Sequence, residues 1–250
     1  MHAPRGIICA TAMLAIASAA AAQSTAPDRV RVALDVGVQL SSVAFDTTAA
    51  KPVYLENANI DASYKMTHGL VFDGGVSVRV AGPVSVGVMV SSMTESADAA
   101  VSAAVPHPFF FKTPRSISGT APALHREELV THIMGIYTLH PGRALDIALS
   151  AGPSFFTVRQ DVVSDITFSD TYPYDAPAFT SAASQRVKSS NTTGFNVGAD
   201  VDLRLARHAA LGGSAKFSKA TVPLSVPNSS TTVSVDAGGT QIAGGLRIYF

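Results

Sequence analysis

Cysteine occurs once in 250 residues, at position 9, and tryptophan does not occur at all. A single thiol cannot form an intramolecular disulfide, so covalent staples are excluded as the source of stability. Charge is scarce as well: charged residues make up 14% of the chain, Lys plus Arg and Asp plus Glu number 18 each, and the pI is about 7.1. Nothing in that balance points to nucleic acid or an anionic surface as a partner. Long hydrophobic runs are also missing. After residue 22 none approaches the ~20 residues of a spanning helix, although 47% of the residues are hydrophobic. High apolar content, little charge and no spanning helix leave one way to satisfy every backbone group in lipid, a closed barrel of strands.

What is present begins with a leader pattern. His2 and Arg5 precede an apolar stretch from Ile7 to Ala19, and the small residues SAAAAQ follow. This pattern predicts a signal peptide over 1–22 and a single mature domain over 23–250, exported and without cysteine, since Cys9 falls inside the leader.

Eight segments of the mature region alternate with the two-residue period of a strand that has one apolar face. The first sets Val30, Val32, Leu34, Val36, Val38 and Leu40 against Arg31, Asp35 and Gln39. The second sets Leu70, Phe72, Val76, Val78 and Val80 against Asp73, Ser77 and Arg79, and the third sets Val84, Val86, Val88 and Val90 against Ser85, Gly87 and Ser91. The fourth is ambiguous: Leu129, Ile133, Tyr137 and Leu139 are assigned outward, yet Val130, Met134 and Ile136 fall on the face that should be polar. The fifth places Leu145, Ile147, Leu149 and Phe155 opposite Asp146, Ser150 and Ser154. The sixth places Phe195, Val197, Val201, Leu203 and Leu205 opposite Asn196, Asp200, Asp202 and Arg204. The seventh, ALGGSAKFSKA, is short and poorly patterned. The eighth runs to the last residue, with Ile242, Gly244, Leu246, Ile248 and Phe250 on one face and Gln241, Ala243, Gly245, Arg247 and Tyr249 on the other.

Short connections at AGP, HPGRA and ARHA are expected to be hairpin turns. They alternate with long ones, expected as loops over roughly 41–65, 95–125, 159–190 and 221–235. Short turns on one side and long loops on the other are the arrangement of an even-stranded outer-membrane barrel with both chain ends in the periplasm. An eight-stranded barrel is the smallest common size. A soluble up-and-down barrel of lipocalin type would show the same alternation with the apolar face turned inward. The missing Trp, the one-sided long loops and the nearly charge-free face favour the membrane form.

With these features the chain resembles the small bacterial outer-membrane β-barrels of the OmpA/OmpX type. The resemblance implies an all-β, eight-stranded antiparallel up-and-down transmembrane barrel in the outer membrane, surrounded by outer-membrane lipids and lipopolysaccharide. It also implies an assembly signal in the last strand, carried by Ile242, Gly244, Leu246, Ile248 and Phe250, which the barrel-assembly machinery reads.

Strand parity sends Arg31, Asp35, Asp73, Arg79, Glu128, Asp146, Asp200, Asp202, Arg204, Lys216 and Arg247 into the interior, where confined charges are expected to pair into a polar plug. A plugged barrel points to a structural or surface-interaction role. A narrow porin-like channel is the alternative, and a lipid-modifying outer-membrane enzyme a minor one. Of the histidines, His132 is the best catalytic candidate, because it faces inward with Glu128, but no orienting carboxylate stands at a catalytic spacing. No metal-ligand pattern is present, and neither cofactor nor nucleic acid is expected. Pro-stiffened aromatics, Phe109, Phe110 and Phe111 in one long connection and Phe168, Tyr172 and Tyr174 in the next, are expected either to form a contact surface for an unidentified surface ligand or to pack on one another and cap the barrel mouth.

Overall fold

The computed structural model describes residues 29–142, 144–227 and 231–250. The expected leader over 1–22 lies outside them. Every regular element among the described residues is a strand: β1 (Val30–Gln39), β2 (Val43–Val53), β3 (Glu56–Met66), β4 (Gly69–Ala81), β5 (Val84–Val105), β6 (Arg115–Leu139), β7 (Leu145–Ser169), β8 (Ala178–Lys188), β9 (Thr192–Ala206), β10 (Ala209–Ser225) and β11 (Thr232–Tyr249). All pairings are antiparallel. β1 pairs β4, β4 pairs β5, and the ladder continues through β6, β7, β9, β10 and β11. It returns from β11 to β1, with Arg31 opposite Tyr249 and Gln39 opposite Gln241. Eight strands therefore close on themselves, and they are the eight read from the alternation.

Most of each long connection is strand rather than loop. The ladder of β2 with β3 continues that of β1 with β4, and β3 pairs the upper part of β5 as β4 pairs its lower part. β8 likewise pairs the upper part of β7, where β9 pairs the lower. Each of β1–β2, β3–β4 and β8–β9 is thus one long strand broken by two or three residues, and β5, β6 and β7 rise without a break. β10, expected to be short, is 17 residues long.

The cause lies in the phase of the hydrophobic pattern. On β5, Val84, Val86, Val88 and Val90 face outward and are exposed, as are Ser92, Thr94, Ser96, Asp98 and Ser102 on the same side farther along. The inward side changes from Ser85, Gly87, Met89 and Ser91 to Met93, Ala99, Val101, Ala103 and Val105. β10 makes the same change between outward Leu211 and Phe217 and inward Val222 and Leu224. One wall is therefore apolar outside and polar inside in its lower half, and polar outside and apolar inside in its upper half. A backbone in lipid needs the first pattern and one in water the second. The segment from Val90 to Val105 is roughly 50 Å of strand, or about 35–40 Å of rise at a tilt of ~40°.

The apolar face of the lower half is outward on every ring strand, including β6, where Leu129, Ile133, Tyr137 and Leu139 are exposed and Val130, Met134 and Ile136 are buried. Above the bilayer zone the inward side chains form a core that includes Phe45, Ile60, Tyr64, Val101, Ile117, Val162, Ile166 and Leu224. Phe45 stacks on Tyr64 at 4.4 Å, and the Tyr64 hydroxyl accepts a hydrogen bond from the Val163 N–H at 2.7 Å. Burial in this core pushes the Tyr64 phenol up. The β10–β11 hairpin ends lower than its neighbours, and Lys51 of β2 reaches Asp165 of β7 at 2.7 Å.

Candidate functional site

Three places concentrate polar chemistry. The first is the lower interior. Arg247, fully buried, lies against Asp35, reaches Asp200 at 3.2 Å through Nη2, and places Nε 3.2 Å from Asp202. Arg31 approaches the last two from the other side, at 3.4 Å from Asp200 and 2.7 Å from Asp202. The Tyr249 hydroxyl donates to Asp202 at 2.8 Å, and the Arg204 guanidinium lies 4.2 Å from the Tyr249 ring centre. Arg204 also holds Asp146 at 2.8 Å, with His140 on the same carboxylate. These groups come from β1, β7, β9 and β11 and meet only because the sheet closes. Arg79 lines the lower mouth beside Asp146, Asp202 and Arg204, around a cavity of about 30 Å³, room for about one water.

The second place is a buried chain farther up. Asp73 accepts from the Lys216 ammonium at 3.1 Å, and Lys216 donates to the Ser91 hydroxyl at 2.7 Å. Ser91 lies 3.1 Å from His132 Nε2, Ser154 lies 2.7 Å from His132 Nδ1, and Asn196 donates to Ser154 at 2.8 Å. His132 thus lies between two serines, neighbours that sequence spacing could not supply because they stand 41 and 22 positions away on other strands. A histidine beside a serine has the makings of a nucleophile and base, but His132 and Ser154 are both fully buried, so no substrate reaches them. Glu128 is not the partner of His132. It lies apart, bound to Arg126 at 2.6 Å and accepting from the Gly238 N–H at 2.9 Å. Gly238 and Gly239, with φ of +84° and +134°, make that approach feasible, and a Cβ on Gly239 would meet the Ser41 side chain at 2.5 Å. Above this level Val130, Phe156, Val158, Ala220, Val222 and Ala237 fill the lumen.

The third place is the outer tip, where three connections converge. Arg115, buried at the top of β6, binds Asp170 through two contacts of 2.6 and 3.1 Å, the Tyr174 carbonyl at 2.6 Å and the Pro106 carbonyl at 2.7 Å. Buried His107 accepts from the N–H groups of Phe109 and Phe110. The Tyr54 hydroxyl reaches Asp170, and Glu56 accepts from the Lys112 N–H. This framework leaves Phe109, Phe110, Phe111 and Tyr172 exposed, and Leu55 95% exposed. Phe109 packs edge-on against Tyr174, which also contacts Tyr172. Phe168, expected in the same surface, instead packs against the upper core, because β7 continues as a strand to Ser169. Four residues here other than glycine, Tyr54, Leu55, Lys112 and Tyr174, have φ between +48° and +74°, a conformation that side chains disfavour and that gathers at functional surfaces.

In the last strand Ile242, Gly244, Leu246 and Ile248 face outward, and the Phe250 N–H donates to the Val30 carbonyl at 2.9 Å, the end of the closing ladder.

No protein-family model matches the chain, and no curated protein does either. Among solved structures, the outer membrane protein OprG from Pseudomonas aeruginosa is similar, with 11% identity and a TM-score of 0.51, over 89% of this chain and 97% of that one. Neisserial surface protein A has 13% identity and a TM-score of 0.47, over 88% and 97%. The Escherichia coli outer membrane protease OmpT has 10% identity and a TM-score of 0.40, over 92% and 99%. At such identities the likeness is one of fold.

Proposed function

We propose, from the fold of a small OmpA/OmpX-type outer-membrane β-barrel as premise, that this chain is a non-conducting surface protein of the outer membrane. The barrel anchors and raises a recognition tip roughly 35 Å beyond the bilayer. The observation that carries this reading is the inversion of the wall. A barrel made only to span would end its strands at the membrane, whereas here the strands continue and change faces as a wall entering water must.

Two plugs in series argue against a channel. The lower one is paired charge and the upper one closely packed apolar side chains, and an eight-stranded barrel has little interior to spare beyond its side chains. The buried position of His132 and Ser154 speaks against an enzyme of the interior. Reconstituted in liposomes, the protein should give no swelling in isotonic small sugar and only rare, small conductance in planar bilayers. A protease-cleavable epitope inserted after Phe110 should be cut on intact cells, and one in the Gly82–Pro83 turn should be cut only after the outer membrane is opened. Steady large conductance from the monomer would favour the narrow-channel alternative, and reversed protease access would refute the surface assignment.

A further inference from the structure

We propose that the cleft beside β3 at the outer tip binds carbohydrate, taking one pyranose ring at the end of a glycan; this rests on the surface-recognition reading above and specifies its ligand class. The cleft holds about 210 Å³ between β3 and the β5–β6 connection, and its polar wall is Glu56, Asn57, Asn59, Lys112 and Thr113. At ~30 Å³ per liquid water that is space for about seven waters, the scale of a single ring with its hydroxyls.

The lining chemistry is suited to a polyol. Asn57 and Asn59 are alternate residues of one strand and project on the same side. Each carboxamide offers two donors and one acceptor, the mixture that hydroxyls on a ring can both accept from and donate to. Neither carboxamide, nor the Lys112 ammonium, has a partner among the described residues. Glu56 is held in place by the Lys112 N–H at 3.1 and 3.3 Å and keeps lone pairs for further donors. Pro106 and Pro114 complete the lining with apolar faces, against which the C–H face of a sugar ring can lie, and Phe109, Phe110 and Phe111, exposed on the same connection as Lys112, offer aromatic faces to the rest of a glycan. Arg115 and His107 fix the connections before any ligand arrives, so little ordering entropy is lost on binding.

The same features disfavour other occupants. β3 is paired with β2 along its length and with β5 from Asn59 to Tyr64, so an extended peptide finds only the three residues 56–58 of open ladder beside the cleft, too short a run to join as a strand. A phosphate group would meet one ammonium with a carboxylate beside it, and a lipid chain would meet a polar wall far from the bilayer.

The test is a printed array of neutral and acidic glycans of defined structure, probed with the labelled full-length barrel in nanodiscs, folding being verified by a heat-dependent gel-mobility shift. Binding should select glycans that share a terminal sugar. The double variant N57A/N59A, changed only at exposed positions, should lose at least tenfold in apparent affinity, and replacing Phe109, Phe110 and Phe111 by Ser should lose less. K112M distinguishes acidic from neutral sugars, because only the former should weaken. A blank array from folded protein would overturn the proposal, and so would array binding that N57A/N59A leaves intact. If residues 107–113 are still needed for attachment of whole cells to a surface while the array is blank, carbohydrate is refuted and surface recognition survives. If neither depends on them, both readings fall.

Discussion

Replacing Arg247 with Met tests the lower plug most directly. The guanidinium is fully buried between Asp35, Asp200 and Asp202, and Met keeps much of its volume without the charge. Removing one partner of a buried pair costs ~3–5 kcal/mol, because the remaining charge is left uncompensated. The contacts say which charge that is. Arg31 continues to hold Asp200 and Asp202, whereas no other cation is bonded to Asp35 among the described residues. The expected loss is therefore at the lower end, about 3 kcal/mol, or roughly two decades in the folding equilibrium. Adding Asp35→Asn should recover most of it, since the stranded carboxylate is then neutral. Urea titration of protein folded into lipid vesicles, followed by circular dichroism because the chain has no Trp, measures both. The reasoning is refuted if R247M is as stable as the parent, or if R247M/D35N is no more stable than R247M.

The inversion of the wall makes a second prediction, because Val86 and Ala100 stand on one outward face of β5 at different heights. Val86→Arg should cost ~2–4 kcal/mol near the midplane and Ala100→Arg about 0.5 kcal/mol or less, whereas Val101→Arg, into the upper core, should cost ~3–5 kcal/mol; similar costs at Val86 and Ala100 in the same vesicle titration would contradict the inversion. Because Asp202 is buried among Arg31, Arg247 and Tyr249, Asp202→Ala should be as damaging as Leu203→Arg on the lipid face, although its own face is polar. Deleting Phe250 should leave the protein in the periplasm; fractionation showing normal outer-membrane levels would count against the assembly role of the last strand. On the outer wall, burial acts against ionisation of Asp161, but the hydrogen bond and charge of Arg186, with the His125 N–H, hold its carboxyl below the usual range. That contribution is present above the unfolded value near ~3.9 and is lost as pH falls through the lower folded value. Asp161→Asn should therefore destabilise by less than about 1 kcal/mol at neutral pH, and the difference should vanish in strong acid.

Much of the lower barrel could be read directly from the chain, because a strand with one side in lipid shows its environment every second residue. Leu34, Val36 and Val38, or Leu203 and Leu205, identify the outward face without reference to any neighbour, and even the ambiguous β6 follows once Leu129, Ile133 and Tyr137 are taken together. The upper barrel reads as loops in the sequence for a related reason. Between Val90 and Met93, and again between Phe217 and Ala220, the apolar residues move to the opposite parity, and an alternation that changes phase looks like one that has ended. The signal is present in Val101, Ala103 and Val105, but only pairing with Gly119, Ile117 and Arg115 across the sheet makes that run a strand. Strand parity also placed Arg31, Asp35, Asp202 and Arg247 inside the barrel. Which acid meets which base is another matter: Arg247 and Asp35 are 212 positions apart, and closing the sheet in the observed register is what brings them together. The same holds for the tip, where Arg115 meets Asp170 and Tyr174 across 55 and 59 positions. Alternation is a local property, dictated residue by residue by the solvent on each side of the wall. The ion pairs and the converging tip depend on the register and curvature of a closed sheet, and these exist only when all eight strands are in place.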